Sequence, residues 1–289
     1  MDNQNIVNEP DISGTTPNIR EKIRKIFTKK MFIALIILAA IITVTEIVNT
    51  ISNKPDFTSV LKDVESLLNT DLGDLIGVLG LAETIIFIGS FIRILPILLT
   101  VAGAIMIFLA CKRNDDNNSL QLFVRGSSLM KWFFLIQDIK ITLFQILTLI
   151  LGVVSIIGIA SGGGDVLIPI ILIVVAMAVI IGVLSIISIY YTNYTAMIRA
   201  LPVSYTRNKN ILQVSTAVIV MNYLRIAIAV IDSIIHGGWI NTIILCAVLV
   251  LSNLVISAYK NEVGQVDEEA RKEYIEQIKQ AKLARKAKR

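Results

Sequence analysis

Four ionisable side chains lie within or beside long apolar stretches of the chain, where a charge is costly. They are Glu46, Arg93, Arg225 and Asp232. A charged group at the centre of a membrane helix costs roughly 2.5–3.5 kcal/mol on insertion scales, so such groups usually face a bundle interior or a water-filled cavity. Their positions place Glu46, Arg93 and Arg225 at similar depths in the outer half of a membrane, with Asp232 further out. We therefore predict an intramembrane polar cluster in which the Glu46 carboxylate lies between two guanidinium groups.

This predicted cluster has two interpretations. In one it is a functional site that binds an anion or couples to protons, and in the other it is a buried ion pair that fixes helix register. The segments around the two arginines, residues 90–98 and 222–230, also resemble each other. That likeness fits either an inverted repeat of two three-helix halves, as in many transporters, or a chance match between apolar segments.

Motifs for enzyme chemistry are missing from the sequence. The chain has one histidine, His236, and two cysteines, Cys111 and Cys246, which form no CxxC pair. No Walker A loop, HExxH or GxSxG motif occurs. We therefore predict no catalytic residue, no metal site and no cofactor. We also expect that the protein is not an enzyme and does not bind nucleic acid.

The composition is typical of a membrane protein. Of the 289 residues, 55% are hydrophobic and 17% charged, and the mean hydropathy is +0.74, whereas soluble domains carry about 25% charged residues. Six apolar segments are long enough to cross a ~30 Å hydrocarbon layer as helices. They span residues 31–49, 84–111, 141–160, 166–189, 211–235 and 239–259. The predicted fold class is an all-α polytopic membrane protein, a bundle of six transmembrane helices.

The distribution of positive charge predicts the orientation of this bundle. With the N-terminus in the cytoplasm, 22 of the 27 Lys and Arg residues fall on the inner side and only Lys54 and Lys62 fall on the outer side. Cytoplasmic loops of membrane proteins carry such an excess of positive charge. We therefore expect both termini to be cytoplasmic, with an N-terminal segment over residues 1–30, and the protein to lie in the plasma membrane.

Two amphipathic segments accompany the six spans. Residues 56–70 predict a short helix on the outer surface, and residues 120–140 predict an interfacial helix on the inner side that leads into the third span. We expect Pro202 to end the fourth helix. Aromatic and charged side chains mark the predicted inner boundary of the membrane. They are Trp132, Asp138, Lys140, Tyr190, Tyr191 and Tyr194.

The last part of the chain, residues 261–289, predicts a basic helical tail in the cytoplasm. Six basic residues fall within the last eleven positions; they are Lys279, Lys282, Arg285, Lys286, Lys288 and Arg289. A thin apolar stripe runs along the same helix through Ala270, Tyr274, Ile278 and Ala281. The tail therefore predicts contact with anionic lipid headgroups or with a cytoplasmic protein partner, and the alternative is a solvated tail that only helps to set topology.

Two classes of function fit these features. The first is a transport component, a permease or carrier subunit that an energy-supplying cytoplasmic partner could drive. The six-helix layout with both ends inside resembles permeases of the type-2 ATP-binding-cassette class, although their loop between helices five and six is usually larger than the one at 236–238. The second is a non-transporting scaffold, immunity or regulatory protein that acts through its tail or its outer surface helix. An acidic cavity that opens to one side favours the first class, and a dry, fully packed bundle favours the second.

Overall fold

The computed structural model describes residues 18–52, 94–113, 117–161 and 167–287, and these residues are helical apart from their connections. Eight helices are described. They are α1 (Ile19–Phe27), α2 (Lys30–Ser52), α3 (Ile94–Lys112), α4 (Asn117–Ser161), α5 (Leu167–Arg207), α6 (Thr216–His236), α7 (Trp239–Val263) and α8 (Glu268–Ala287). The predicted outer surface helix at 56–70 and the start of the second span, 84–93, lie outside the described residues.

Six of these helices, α2 to α7, are long and apolar enough to cross a membrane. The most apolar stretch among them lies in α5, where the mean hydropathy of an 18-residue window reaches 3.3 and none of that window is buried. Leaving so much apolar surface in water would be strongly unfavourable, since each Å² costs roughly 25 cal/mol. The surface suits lipid, and the all-helical fold is compatible with the predicted multi-pass membrane protein.

Two helices are longer than their apolar sequence predicts. The predicted interfacial helix at 120–140 and the third span form one continuous helix, α4, of 45 residues. Pro202 does not end α5, which continues to Arg207. Packing compensates for the backbone hydrogen bond that proline removes, because the ring of Tyr205 stacks on Phe123 at 4.0 Å and both rings are fully buried.

Helix α6 begins at Thr216, five residues later than the predicted start at 211. The connection before it is not helical and is held by side-chain hydrogen bonds, which compete with helix formation. The Asn210 amide donates to the carbonyl of Gly264 at 2.9 Å and accepts from the Tyr259 hydroxyl at 3.1 Å. The Ile211 amide donates to the Ser204 hydroxyl at 3.1 Å. The connection thus joins the ends of α5 and α7.

The N-terminal basic segment forms a helix, α1, that the charge pattern alone did not predict. Its apolar residues recur at helical spacing, and Ile23, Ile26 and Phe27 are buried against the bundle. Its two arginines cap other helices. Arg20 donates to the carbonyl of Tyr205 near the end of α5 at 3.0 Å, and Arg24 donates to the carbonyl of Cys111 at the end of α3 at 3.1 Å.

The tail helix α8 lies at the same end of the bundle as α1, which we call the α1–α8 end. Its predicted apolar stripe packs on the protein itself, because Ala270 is buried and Tyr274 packs against the same core. Arg207 from the end of α5 donates to Gln277 at 2.8 Å and lies 3.6 Å from the Glu273 carboxylate. The first half of the tail is therefore docked on the bundle.

Candidate functional site

A network of buried polar side chains joins α5, α6 and α7 in the interior of the bundle. The Asn222 amide lies at its centre and is fully buried. Its oxygen accepts from the Tyr190 hydroxyl at 2.7 Å, and its nitrogen donates to Tyr194 at 3.0 Å and to the Asn253 oxygen at 2.7 Å. The Tyr194 and Ser252 hydroxyls lie 2.9 Å apart. Buried polar groups need such partners, so the network fixes the packing of three helices.

Arg225 extends this network near the middle of α6. Its Nη1 donates to the Tyr190 oxygen at 3.1 Å, and its guanidinium carbon lies 5.6 Å from the centre of the Tyr190 ring. Tyrosine is neutral at ordinary pH, so this partner supplies a dipole and a π face but no counter-charge. Among the described residues no carboxylate forms an ion pair with Arg225. The site therefore holds a positive charge that these residues do not neutralise.

A cavity of about 270 Å³ lies beside Arg225. Residues from all six long helices line it, and most of them are apolar. Its polar lining is Thr100, Tyr190, Tyr194, Arg225 and Ser252. Ligand cavities in proteins have this character, a mainly apolar wall with a few polar groups that orient the ligand, and this one lies near the lower end of their usual size.

The structure does not bring the predicted cluster together as the sequence analysis expected. Glu46 lines a separate cavity of about 160 Å³ between α2 and α7, together with Asn241, and no ion pair among the described residues joins it to Arg225. Asp232 lies 3.0 Å from the His236 ring nitrogen, and both side chains are largely exposed. Arg93 lies outside the described residues, so its part in the cluster stays a prediction.

The residues predicted at the inner membrane boundary divide into three groups. Tyr190 and Tyr194 point into the bundle interior instead of forming a surface belt, with 3% and 8% of their area exposed. Asp138 accepts from the hydroxyl of Ser188 on α5 at 2.6 Å, so it joins α4 to α5. The remaining three, Trp132, Lys140 and Tyr191, lie on the surface or are half-buried.

The two asparagines of the network, Asn222 and Asn253, were not among the residues predicted from the sequence. Each is a lone amide in an apolar stretch, which is a usable signal because side-chain amides in membrane helices tend to hydrogen-bond across helices. The basic residues of the tail are described only in part. The side chains of Lys279 and Lys286 are described, and both are exposed.

No family model, curated protein or solved structure matches this chain. Its function has to follow from the geometry of the network and the cavity.

Proposed function

We propose that this protein is the membrane component of a transport system and that its bundle binds a small amphipathic anion. The observation that carries the proposal is Arg225, a cation in the middle of a helix long enough to span the membrane, whose hydrogen-bond partner Tyr190 carries no charge. Intramembrane charges are functional by default because their insertion cost has to be offset. An anionic ligand in the adjacent cavity supplies the missing counter-charge.

The lining of the cavity supports an amphipathic ligand over a simple inorganic anion. Arg225 and the tyrosine hydroxyls lie on one part of the wall, and apolar side chains such as Phe32, Leu35 and Val248 form most of the rest. A compact anionic head can pair with the guanidinium while an alkyl chain displaces water from the apolar wall. An inorganic anion would lose its hydration shell on entering the cavity, and it would make no apolar contacts that offset this cost.

The wider transport assignment extends beyond this site. It includes a plasma-membrane location, both termini in the cytoplasm and a cytoplasmic partner that supplies energy, and these rest on the charge distribution of the sequence and on the lack of a nucleotide-binding motif. Copurification in mild detergent tests the partner. A soluble nucleotide hydrolase recovered with the protein in stoichiometric amount supports a subunit role.

Decanesulfonate is a suitable probe for the cavity because it is permanently charged and has a short alkyl chain, and decanol is its neutral control. We expect decanesulfonate to raise the melting temperature of the purified protein more than decanol does, since a ligand that binds only the folded state stabilises it. Arg225→Gln should abolish the difference. Lys140→Gln, which removes a cation that does not line the cavity, should retain it.

Two further results decide the proposal. If Arg225→Gln does not fold, Arg225→Lys keeps the charge and should keep decanesulfonate binding with lower affinity, because lysine lacks the planar fork of arginine. Equal stabilisation of the native protein by decanol and decanesulfonate would overturn the anion site. In proteoliposomes, uptake of labelled decanesulfonate above that of protein-free liposomes supports transport, whereas binding without uptake supports a non-transporting role.

That non-transporting alternative, a scaffold, immunity or regulatory protein, has one observation in its favour. The α1–α8 end is packed like a soluble protein, with Ile26, Ile107, Phe123 and Tyr205 all at 0% exposure. Such an end could present α8, on which Ile275 and Leu283 are exposed, to a cytoplasmic protein.

A further inference from the structure

A second cavity, separate from the one beside Arg225, opens between three elements at the α1–α8 end. Its volume is about 560 Å³. The walls are the last part of α5, the connection that leads into α6, and the first half of α8. We call it the α5–α8 cleft. Its polar lining consists of Asn193, Arg199, Gln213, Ser215, Thr216, Arg271 and Tyr274, and its apolar lining includes Met197, Ile211, Ile275 and Ile278.

The charge of the α5–α8 cleft is positive. Arg199 and Arg271 line it, and none of its lining residues is acidic. The Arg199 side chain forms no hydrogen bond or ion pair with any of the described residues, and it is exposed. Arg271 lies 3.5 Å from the Glu268 carboxylate, which is one turn away on α8 and 63% exposed. Surface pairs of this kind are worth little, so Arg271 remains available to a stronger anionic partner.

The N-terminus of α6 adds hydrogen-bond donors to the same cleft. Ser215 precedes the helix, and its side chain makes no capping hydrogen bond to the first turn. The first backbone N–H groups of a helix form its positive end, which favours anions. In α6 the Val218 N–H donates to the Ser215 carbonyl at 3.1 Å, and the N–H groups of Thr216 and Ala217 precede it. Burial raises the pKa of the Tyr274 phenol, against the opposing effect of Arg199 and Arg207, so this hydroxyl stays protonated near neutral pH.

The position of the cleft along α6 matches the headgroup layer of a bilayer. Helix α6 has 21 residues, a length of about 30 Å, which equals the thickness of the hydrocarbon layer. A helix of this length that crosses the layer has its first residue, Thr216, at one boundary, and Arg199 lines the same cleft as Thr216. The apolar wall of the cleft includes Ile275, which is 40% exposed.

We propose that the α5–α8 cleft binds the phosphate of an anionic phospholipid in the leaflet at the α1–α8 end. Arg199 and Arg271 bind the phosphate oxygens, and the hydroxyls and N–H groups at the start of α6 complete the shell. The apolar wall accommodates the first carbons of the acyl chains. The lipid joins α8 to α5 and α6, so headgroup composition controls the docking of the tail. This site is independent of the cavity beside Arg225, and either one can fail without the other.

The test uses the full chain in mild detergent and short-chain lipids. Dioctanoyl phosphatidylglycerol supplies an anionic phosphodiester, dioctanoyl phosphatidylcholine supplies the same chains without net charge, and inorganic phosphate supplies the anion alone. At about ten times its Kd, phosphatidylglycerol should raise the melting temperature by a few degrees. Arg199→Gln with Arg271→Gln should lose this shift. Lys272→Gln is the matched control, because Lys272 is exposed on α8 beside Arg271 and does not line the cleft.

Each outcome supports or overturns the lipid site. A shift with phosphatidylglycerol alone that the double variant loses and Lys272→Gln keeps supports it. An equal shift with inorganic phosphate means that a free phosphate is the ligand, and an equal shift with phosphatidylcholine means that chain burial alone stabilises the protein; both overturn the lipid assignment. If the double variant does not fold, the single variant Arg199→Gln replaces it, because the Arg199 side chain has no hydrogen-bond or ion-pair partner among the described residues. A melting-temperature shift with phosphatidylglycerol that is as large in Arg199→Gln as in the native protein also overturns the proposal.

Discussion

Arg225 is held in the bundle by a polar partner that carries no charge, the Tyr190 side chain. The Tyr190 oxygen accepts a hydrogen bond from the Arg225 guanidinium, and the Asn222 oxygen accepts one from the Tyr190 hydroxyl. The chain of hydrogen bonds therefore runs from the guanidinium to a buried amide. Each donor in such a chain polarises the next one. The arrangement holds the guanidinium at one place on the cavity wall and leaves its charge for a ligand.

A thermodynamic cycle on Tyr190 and Arg225 measures this contact. Tyr190→Phe removes the hydroxyl, Arg225→Gln removes the charge, and the two changes should be non-additive by about 0.5–3 kcal/mol because the residues touch. Melting curves in detergent for both single variants and the double variant give the coupling. Additive changes would mean that the hydrogen bond contributes nothing to stability.

A second cycle, on Glu46 and Arg225, should give the opposite result. No hydrogen bond or ion pair among the described residues joins these two side chains, so their substitution by glutamine should be additive within about 0.3–0.5 kcal/mol. A coupling as large as that of Tyr190 with Arg225 would instead support the predicted Glu46 cluster and contradict the geometry described above.

The sequence identified Arg225 as a site residue but not its partners. The position of Arg225 along its helix predicts its depth in the membrane. The five-residue difference in the start of α6 alone changes that predicted depth by about 8 Å. Which residues face Arg225 depends on which helices are neighbours and on how each is rotated, and neither follows from hydropathy. Tyr190 looked like a boundary residue because the apolar sequence of α5 ends there, although the helix continues.

At the scale of the helices, the apolar parts were predictable and their extensions were not. Hydropathy marks the part of α4 and α5 that suits lipid, but a helix of 41 residues is about 60 Å long and a hydrocarbon layer only about 30 Å thick. The rest of each helix has a mixed sequence, and there α4 packs against α5. Contacts such as Asp138 with Ser188 hold that pair together, and they involve residues far apart in the chain.

The crossing of α3 and α4 depends on two glycines that approach each other closely. A Cβ atom on Gly103 would lie 2.5 Å from the Gly126 carbonyl oxygen, and one on Gly126 would lie 2.6 Å from the Gly103 oxygen. Gly126→Ala should therefore force the backbones apart and destabilise the protein by about 1–3 kcal/mol. Melting temperature in detergent is the measurement.

Gly158→Ala is the matched control, because it makes the same change in the same helix. A Cβ atom there would meet no other atom within 4 Å, so the substitution should be neutral or slightly stabilising through the higher helix propensity of alanine. Similar losses for both variants would mean that alanine is harmful throughout α4 and that the crossing is not the cause.

The whole molecule has two ends of different character. Around Val154 and Val175 the apolar side chains of α4 and α5 are more than half exposed, as lipid-facing residues are. At the α1–α8 end, apolar side chains from α1, α2, α3, α4, α5, α7 and α8 form one buried cluster. Composition predicted the lipid-facing part, because exposure to lipid depends on hydropathy alone. The buried packing at the α1–α8 end depends on long-range contacts such as the hydrogen bond from Arg20 to the Tyr205 carbonyl, and no local sequence pattern indicates these contacts.

The orientation of these two ends across the membrane is the last prediction, and it rests on the excess of Lys and Arg predicted on the inner side. The structure places Ser161 at the end of α4 and Lys209 in the connection after α5, and both are exposed. Ser161→Cys should react with an impermeant maleimide added outside intact cells, whereas Lys209→Cys should react only after the membrane is opened. The native chain is the control, since Cys111 is buried and Cys246 is partly so. Labelling of Lys209→Cys from outside would reverse the predicted topology and place the α5–α8 cleft at the outer leaflet.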